Sequence, residues 1–294
     1  MAGLRLMRRL GARGYLGWIP SPVYLKLLYR SELGKKLDLK HPTSFNEKLQ
    51  WLKLHDKNPD YGVYADKYAV RAHVEKTLGV QYLVPLLGVY DSPAEINWDA
   101  LPERFVVKCT HGSHCSLLCR DKASFDRAEA VGKLERWLRK SWYWLGREWP
   151  YRLIERPRVI VEEFLGSSDN PPPDYKVMCF GGTPRILQVH SKTASGGHAI
   201  DFYDMEGRLL PFRKCGFPNA GPERMDMSPF GEMLDLARRL SQGFVYLRAD
   251  FYLLDGRVYF GEMTFFDSSG LIDFEPEESN LFLGNLIRLP GETR

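Results

Sequence analysis

Arg248, Asp250 and Glu262 lie within one short stretch, Arg248 to Gly270, RADFYLLDGRVYFGEMTFFDSSG. β-Branched and aromatic runs flank Asp255-Gly256, the pattern of a β-hairpin. Loop length decides which side chains share a face. A two-residue Asp-Gly loop would pair Asp250 with Gly261 and put Asp250 and Glu262 on opposite faces. A three-residue loop, Leu254-Asp255-Gly256 with Gly256 left-handed, pairs Arg248 with Glu262 instead. The second register is expected: it places Arg248, Asp250, Glu262 and Thr264 on one face. Ala249, Phe251, Leu253, Gly261 and Met263 then form the core face. Half-burying two carboxylates and an arginine is costly without a purpose. Oxygen donors this close suit Mg²⁺, which takes one or two carboxylates and fills its octahedron with water and phosphate oxygens. The alternative is an ordinary hairpin whose charges face water.

A second constellation stands upstream, Lys108-Cys109-Thr110-His111-Gly112-Ser113-His114-Cys115-Ser116. A lysine at a strand end before a loop of small residues can clamp a polyphosphate with its ammonium and backbone N–H groups. The GxxxxGK[ST] spacing of a P-loop is absent. His111 and His114 read as loop histidines rather than metal ligands, and Cys115 and Cys119 have no partner pair for a zinc site.

These groups need elements to hold them. Ser44-Phe45-Asn46-Glu47 is a capping box opening a helix with Leu49, Trp51, Leu52 and Leu54. Asp66 opens a further helix that stops at Gly79. Tyr82–Val89 and Phe105–Cys109 read as strands, the first disturbed by Pro85. Phe125–Trp144 reads as an amphipathic helix with a basic outer face, and RVIVEEFL (158–165) as a buried strand ending in Glu162 and Glu163. The polar, Pro-rich run 166–173 is the expected domain boundary. Beyond it, 174–180 and 185–190 form a hairpin, 191–199 a glycine-rich loop, and 230–241 a helix before the charged hairpin. A helix near 279–286 closes the chain.

With 44% apolar and 27% charged residues over 294 positions, the chain reads as a soluble globular protein of one to three domains. A net charge of +4 favours acidic partners without naming one. Five cysteines without disulfide spacing point to reduced thiols and a cytoplasmic location. No apolar run approaches the ~20 residues of a membrane span. The basic N-terminus, with Arg5, Arg8, Arg9 and Arg13, leaves a peripheral membrane contact open. There is no Asp-x-Asp nucleotide-sugar motif, no GxSxG, and no RNA-binding signature, so no nucleic acid partner is expected.

The succession FNEKLQWLKLHDKNPDY, DKYAVR, YLVPLLGVYDS, VVKCTHGS, REWPY, DYKVMCF and GEMTFFDSSG resembles the TupA-like ATP-grasp family, linked to teichuronopeptide biosynthesis and often labelled glycosyltransferase. The resemblance implies an α+β, ATP-grasp fold: two α+β lobes clasping ATP between antiparallel sheets, with a helical N-terminal extension. The domains would be a helical region 1–80, an N-lobe 81–165 with the phosphate loop, and a C-lobe 166–294 with the metal hairpin. It implies ATP and Mg²⁺ as cofactors. Lys67 and Lys108 would contact phosphates, under the loop carrying Gly112, Ser113 and Ser116. Glu162 would bond the adenine amino group beside Glu163, with Phe164 and Leu165 as the hinge edge. Asp174 would sit near the ribose, and Lys176 would complete the nucleotide contacts. Arg248 would face the transferred phosphoryl group, and Asp250, Glu262 and Thr264 would hold the metal, with Glu262 catalytic as well. His114-Cys115, where relatives carry smaller residues, puts closure of the loop in question. The implied activity is a carboxylate–amine ligase that forms an amide through an acyl phosphate, on an acidic surface glycan or its precursor and an amine donor. A kinase of the same fold acting on a sugar hydroxyl is the rival, and a glycan-binding or glycosyltransferase-labelled protein of polysaccharide biosynthesis the third reading.

Overall fold

A computed structural model describes residues 9–166, 173–193 and 196–292. The expected basic segment at Arg5 and Arg8, most of the boundary run 166–173, and the centre of the 191–199 loop lie outside the described residues. The chain divides into two compact units, one of residues 1–57 with 173–294 and one of 58–172. The region 1–80 is therefore not a unit of its own.

Helices α1 (Ser21–Leu33) and α2 (Phe45–His55) begin the first unit. The capping box forms as expected: Ser44 Oγ accepts from Glu47 N at 3.3 Å and Glu47 Oε2 accepts from Ser44 N at 3.1 Å. The buried polar side of α2 explains why it joins this unit. Asn46 donates to Ile272 O at 3.0 Å, Gln50 to Gly270 O at 2.9 Å and Lys53 to Ser269 O at 2.8 Å. Those bonds hold a turn more than two hundred residues later in the chain.

The second unit follows, with α3 (Tyr61–Ala65), α4 (Val70–Thr77), β1 (Leu86–Tyr90), β2 (Phe105–Cys109), β3 (Ser116–Cys119), α5 (Arg127–Leu138), α6 (Tyr143–Gly146), α7 (Trp149–Arg152) and β4 (Val159–Glu163). Its antiparallel sheet has the order β1-β4-β2-β3. Alternation along β2 and β4 buries Phe105, Val107, Cys109, Val159 and Val161 in one core with Leu134 of α5. Three boundaries differ from the sequence reading. Asp66 does not open α4: its carboxylate accepts from Tyr68 N and Ala69 N, each at 2.8 Å, and the helix starts at Val70. Residues 80–82 form a short 3₁₀ turn, so the strand waits until Leu86, after Pro85. The long helix 125–144 is two helices, because Asp126 caps Glu129 N at 2.8 Å and α5 ends at Leu138.

The chain then returns to the first unit with β5 (Asp174–Phe180), β6 (Thr183–Lys192), β7 (His198–Tyr203), β8 (Arg213–Lys214), α8 (Gly231–Leu240), β9 (Tyr246–Leu254), β10 (Arg257–Thr264), β11 (Phe274–Glu275) and α9 (Glu278–Leu286). Five strands form one antiparallel sheet, β10-β9-β5-β6-β7, while β8 and β11 make a separate ribbon. α8 turns Met233, Leu236, Ala237 and Leu240 inward at helical spacing and covers one sheet face, bringing Ala237 O within 3.8 Å of Cys179 Sγ. The other face carries the polar side chains.

Candidate functional site

In the second unit, register decides the assembly. β2 and β4 pair Val106 with Glu162 and Lys108 with Ile160, so Lys108 and Glu162 emerge on the face away from the core. Lys108 Nζ bonds Glu162 Oε2 at 2.7 Å, and Arg71 of α4 bonds Oε1 at 3.1 Å while its other arm donates to Val84 O at 2.9 Å. Glu162, 6% exposed, is thus the shared counter-ion of two cations. An adenine amino group would have to share that carboxylate with them. Arg71 was read only as part of a helix; nothing in its spacing pointed to Glu162.

Lys67 lies by the loop that follows β2: Lys67 Nζ donates to Gly112 O at 2.7 Å and its N–H to Thr110 O at 2.8 Å. Gly112 sits at φ 77°, with Trp142 so close that an added Cβ would fall 2.2 Å from the indole. Only glycine fits there. Cys115 turns into the core and His114 out to solvent, at φ 56°. The loop thus buries one bulky side chain and exposes the other. Ser113 is half-buried, and Ser116 stands opposite Lys108 on β3. Glu163 departs from its expected role. It pairs with Phe105 on the face opposite Glu162 and is exposed, because successive residues of a strand alternate. Phe164 and Leu165 follow the strand half-buried, Phe164 with the Arg104 guanidinium 5.4 Å from its ring centroid.

In the first unit the charged hairpin is β9–β10. Its loop has two residues, Asp255 at φ 50° and Gly256 at φ 75°, with Leu254 paired to Arg257. The three-residue loop is wrong. Both loop residues are left-handed, as the twist of a two-residue hairpin prefers. A β-bulge between Phe260 and Glu262 then moves the register by one, pairing Glu262 with Asp250 and Thr264 with Arg248. Gly261 absorbs it: an added Cβ would lie 3.0 Å from Asp250 O. Arg248, Asp250, Glu262 and Thr264 consequently share one face as expected, by a different route.

Across the sheet, Asp250 faces Lys176 of β5, which faces Gln188 of β6. Lys176 Nζ lies 2.6 Å from both Asp250 Oδ2 and Asp174 Oδ2. Arg248 grips Asp250 through Nε at 2.7 Å and Nη2 at 2.8 Å. Its Nη1 reaches Asp267 at 2.5 Å, and Nη2 reaches Thr264 at 3.1 Å and Glu262 at 3.4 Å. Lys214, from the β8 ribbon, meets Asp267 at 3.1 Å. Asp267 begins the Ser-Ser-Gly turn that α2 holds, where Ser268 and Ser269 are left-handed at φ 49° and 58°. Asp267 and Lys214 are not among the expected site residues, and Lys214 carries no local signal.

Burial and charge set these groups apart. Burial pushes the Asp250 carboxyl up from its usual value against the pull of Arg248 and Lys176. Burial would raise Asp267 too, but Lys214 and Arg248 outweigh it and hold it well below the carboxylate range. Burial lowers Lys214 despite Asp267, whereas in Lys176 the effect of burial is exceeded by Asp250, and its ammonium is held above the usual value.

The donor set accommodates a hard divalent ion unevenly. Asp250 is buried, and both of its oxygens already accept from Arg248 and Lys176. It fits better as the acid that orients the two cations than as a metal ligand. Glu262, with a side chain 34% exposed, and the Thr264 hydroxyl beside it at 3.3 Å are oxygen donors at the rim. That fits Mg²⁺ in its usual mode, with few protein ligands and many from phosphate and water. Among the described residues no group of three or more His, Cys, Asp or Glu could hold a metal ion.

A family model described as TupA-like ATPgrasp matches residues 47–288, most of the chain. The chain belongs to the TupA-like ATP-grasp family. Its fold is accordingly ATP-grasp. No curated protein matches it by sequence. Among solved structures, D-alanine–D-alanine ligase from Bacillus anthracis complexed with ATP is similar at 14% identity, covering 69% of this chain and 55% of that one, with a TM-score of 0.41. The corresponding ligase from Helicobacter pylori shares 12% identity over 86% of this chain and 69% of its own, with a TM-score of 0.43. The ATP-grasp ligase PsnB, complexed with a phosphomimetic variant of its minimal precursor, Mg and ADP, shares 12% over 94% and 71%, with a TM-score of 0.44. This family member thus spans about half the length of the Bacillus anthracis enzyme, and likeness at this level says nothing of activity. Among the described residues no helix is long and apolar enough to cross a membrane.

Proposed function

We propose that the protein is an ATP-dependent carboxylate–amine ligase acting on an acidic surface glycan or its precursor. The observation that supports it best is the Arg248–Lys176 pair, fixed in place by Asp174, Asp250 and Asp267 on one sheet face with Glu262 at the rim. Two cations oriented by buried acids, before any ligand arrives, are suited to charge that develops on a transferring phosphoryl group. Phosphoryl transfer needs positioning and charge neutralisation rather than a covalent nucleophile.

In the proposed reaction a substrate carboxylate oxygen bonds to the γ-phosphorus of ATP as the bond to ADP breaks. An amine then attacks the acyl carbon, loses a proton, and orthophosphate leaves. Arg248 neutralises the transferred group, and Lys176 binds phosphate oxygens. Lys67 and Lys108, the latter oriented by Glu162, are the proposed ligands of nucleotide phosphates. Glu262 and Thr264 are the residues that would hold Mg²⁺, which would supply charge neutralisation on phosphate oxygens. An ATP-consuming enzyme whose five cysteines are all unpaired is proposed to work in the cytoplasm.

The test is orthophosphate release from ATP and Mg²⁺ with acidic sugars, with and without amines. Release that requires both acid and amine is expected. A stable phosphorylated sugar formed without amine would replace the ligase by a kinase, and no turnover with any acceptor would overturn both.

A further inference from the structure

The outer face of α1 and the turn before it take no part in the phosphate chemistry. Residues 1–36 hold eight Lys and Arg and a single acid, Glu32, a net +7 where the whole chain carries +4. The rest of the chain is therefore net −3, and the positive excess is gathered in one stretch. α1 buries Tyr24, Leu25, Leu28 and Tyr29 in a small core that Leu16 and Ile19 also pack against. Gly11 lies so close to Tyr24 that an added Cβ would fall 2.2 Å from its hydroxyl oxygen. The segment carrying Arg9 and Arg13 is thus packed onto the same helix.

Those inward residues decide what is left outside. At helical spacing α1 turns Val23, Lys26, Leu27 and Arg30 to the side opposite its core, and all four are exposed. In the preceding turn Leu16 and Ile19 point inward, while Tyr15 and Trp18 stand out, 63% and 80% exposed. Trp18 is the most exposed large hydrophobic side chain among the described residues. One exposed leucine needs no explanation. Tyr15, Trp18, Val23 and Leu27 together, with Lys26 among them and Arg13 and Arg30 at either end, mark an interaction surface.

Charge and apolar character identify the occupant. Lys and Arg heads beside Trp, Val and Leu complement an anionic lipid surface, where cations meet phosphate headgroups and apolar tips enter the acyl boundary. An indole settles at the headgroup level. Nucleic acid would use the cations but give Val23 and Leu27 nothing to bury against. A second copy docking face to face would meet its own positive charge. We propose that this face, Trp18, Val23 and Leu27 with Arg13, Lys26 and Arg30, seats the protein peripherally on an anionic phospholipid bilayer. The seat is inferred from these residues alone, whatever reaction the protein catalyses.

Co-sedimentation of the full chain with vesicles tests it. Binding is expected to phosphatidylcholine mixed with phosphatidylglycerol and not to phosphatidylcholine alone. It should fall steeply in ~1 M salt, where the Debye length is about 3 Å. Lys26→Gln combined with Arg30→Gln should weaken partitioning ~25-fold, at about fivefold for each cation near the surface. Trp18→Ser should weaken it ~10-fold through lost apolar burial. Val80→Ser, at an exposed apolar position in the second unit, should leave it unchanged. All these side chains are exposed, so each variant should melt with the parent. A parent that does not bind phosphatidylglycerol vesicles at low salt overturns the proposal. Binding that salt abolishes but Trp18→Ser leaves intact would make the face a site for polyanions in general. A lipid-free dimer that Trp18→Ser dissociates in analytical ultracentrifugation would give it to a second copy. Either result overturns the lipid assignment.

Discussion

Replacing Asp267 by Asn removes one charge from the most deeply buried part of the cluster. Asp267 and Lys214 have side chains 1% and 5% exposed, and Arg248, the second cation on Asp267, is 10% exposed. Asn keeps the shape but leaves Lys214 without the acid it touches, and Arg248 with Asp250 and Glu262. Breaking a buried pair from one side typically costs about 3–5 kcal/mol, since the remaining charge stays desolvated. Arg248 keeps other partners, so the lower half of that range is expected at pH 7. The deficit should depend on pH in one direction. The Asp267 carboxyl titrates below its unfolded value, so its stabilisation is complete above about pH 4–5. It is lost as pH falls through the folded value, and the parent and Asp267→Asn should converge on acidification. Urea unfolding followed by circular dichroism between pH 3 and pH 8 measures both. A deficit under about 1 kcal/mol at pH 7, or one undiminished at pH 3, would refute the reasoning.

Glu262→Gln should lower kcat by ~10²-fold or more with little change in Tm, because its side chain sits at the rim; turnover at the parent rate would detach the hairpin from the chemistry. Glu162→Gln should weaken ATP binding and also destabilise the second unit, since Lys108 and Arg71 lose their common counter-ion; a change in KM for ATP with an unaltered melting curve would return Glu162 to a purely nucleotide-facing role. Gly261→Ala should cost about 1–3 kcal/mol, its methyl group meeting the Asp250 carbonyl, and thermal melts would show whether the bulge tolerates it.

What could be read in the sequence was local. The capping box at Ser44, the strand 159–163 and the face shared by Arg248, Asp250 and Glu262 follow from side-chain type and period. The hairpin register did not, because a bulge at a glycine leaves no trace in an alternation that it shifts by a single residue. Partnerships at long range were also hidden. Arg71 with Glu162, Lys214 with Asp267 and Lys53 with Ser269 span 91, 53 and 216 residues, and no spacing rule joins them. Asp250 was read as a metal ligand because an acid on a polar face invites a cation; the structure supplies two of its own.

The two-residue turn alone would leave Glu262 on the face opposite Asp250, and the Gly261 bulge reverses that. Gly261 is the residue the ladder leaves unpaired, so deleting it would keep Glu262 opposite Asp250 and Thr264 opposite Arg248. Deleting a residue from the turn instead, with the bulge kept, would slide β10 by one and send Glu262 and Thr264 toward the core face. Length changes in this ribbon are thus tolerable at the bulge and not at the turn, and an alignment of relatives that places its gap by residue identity alone will misjudge which acid faces the sheet.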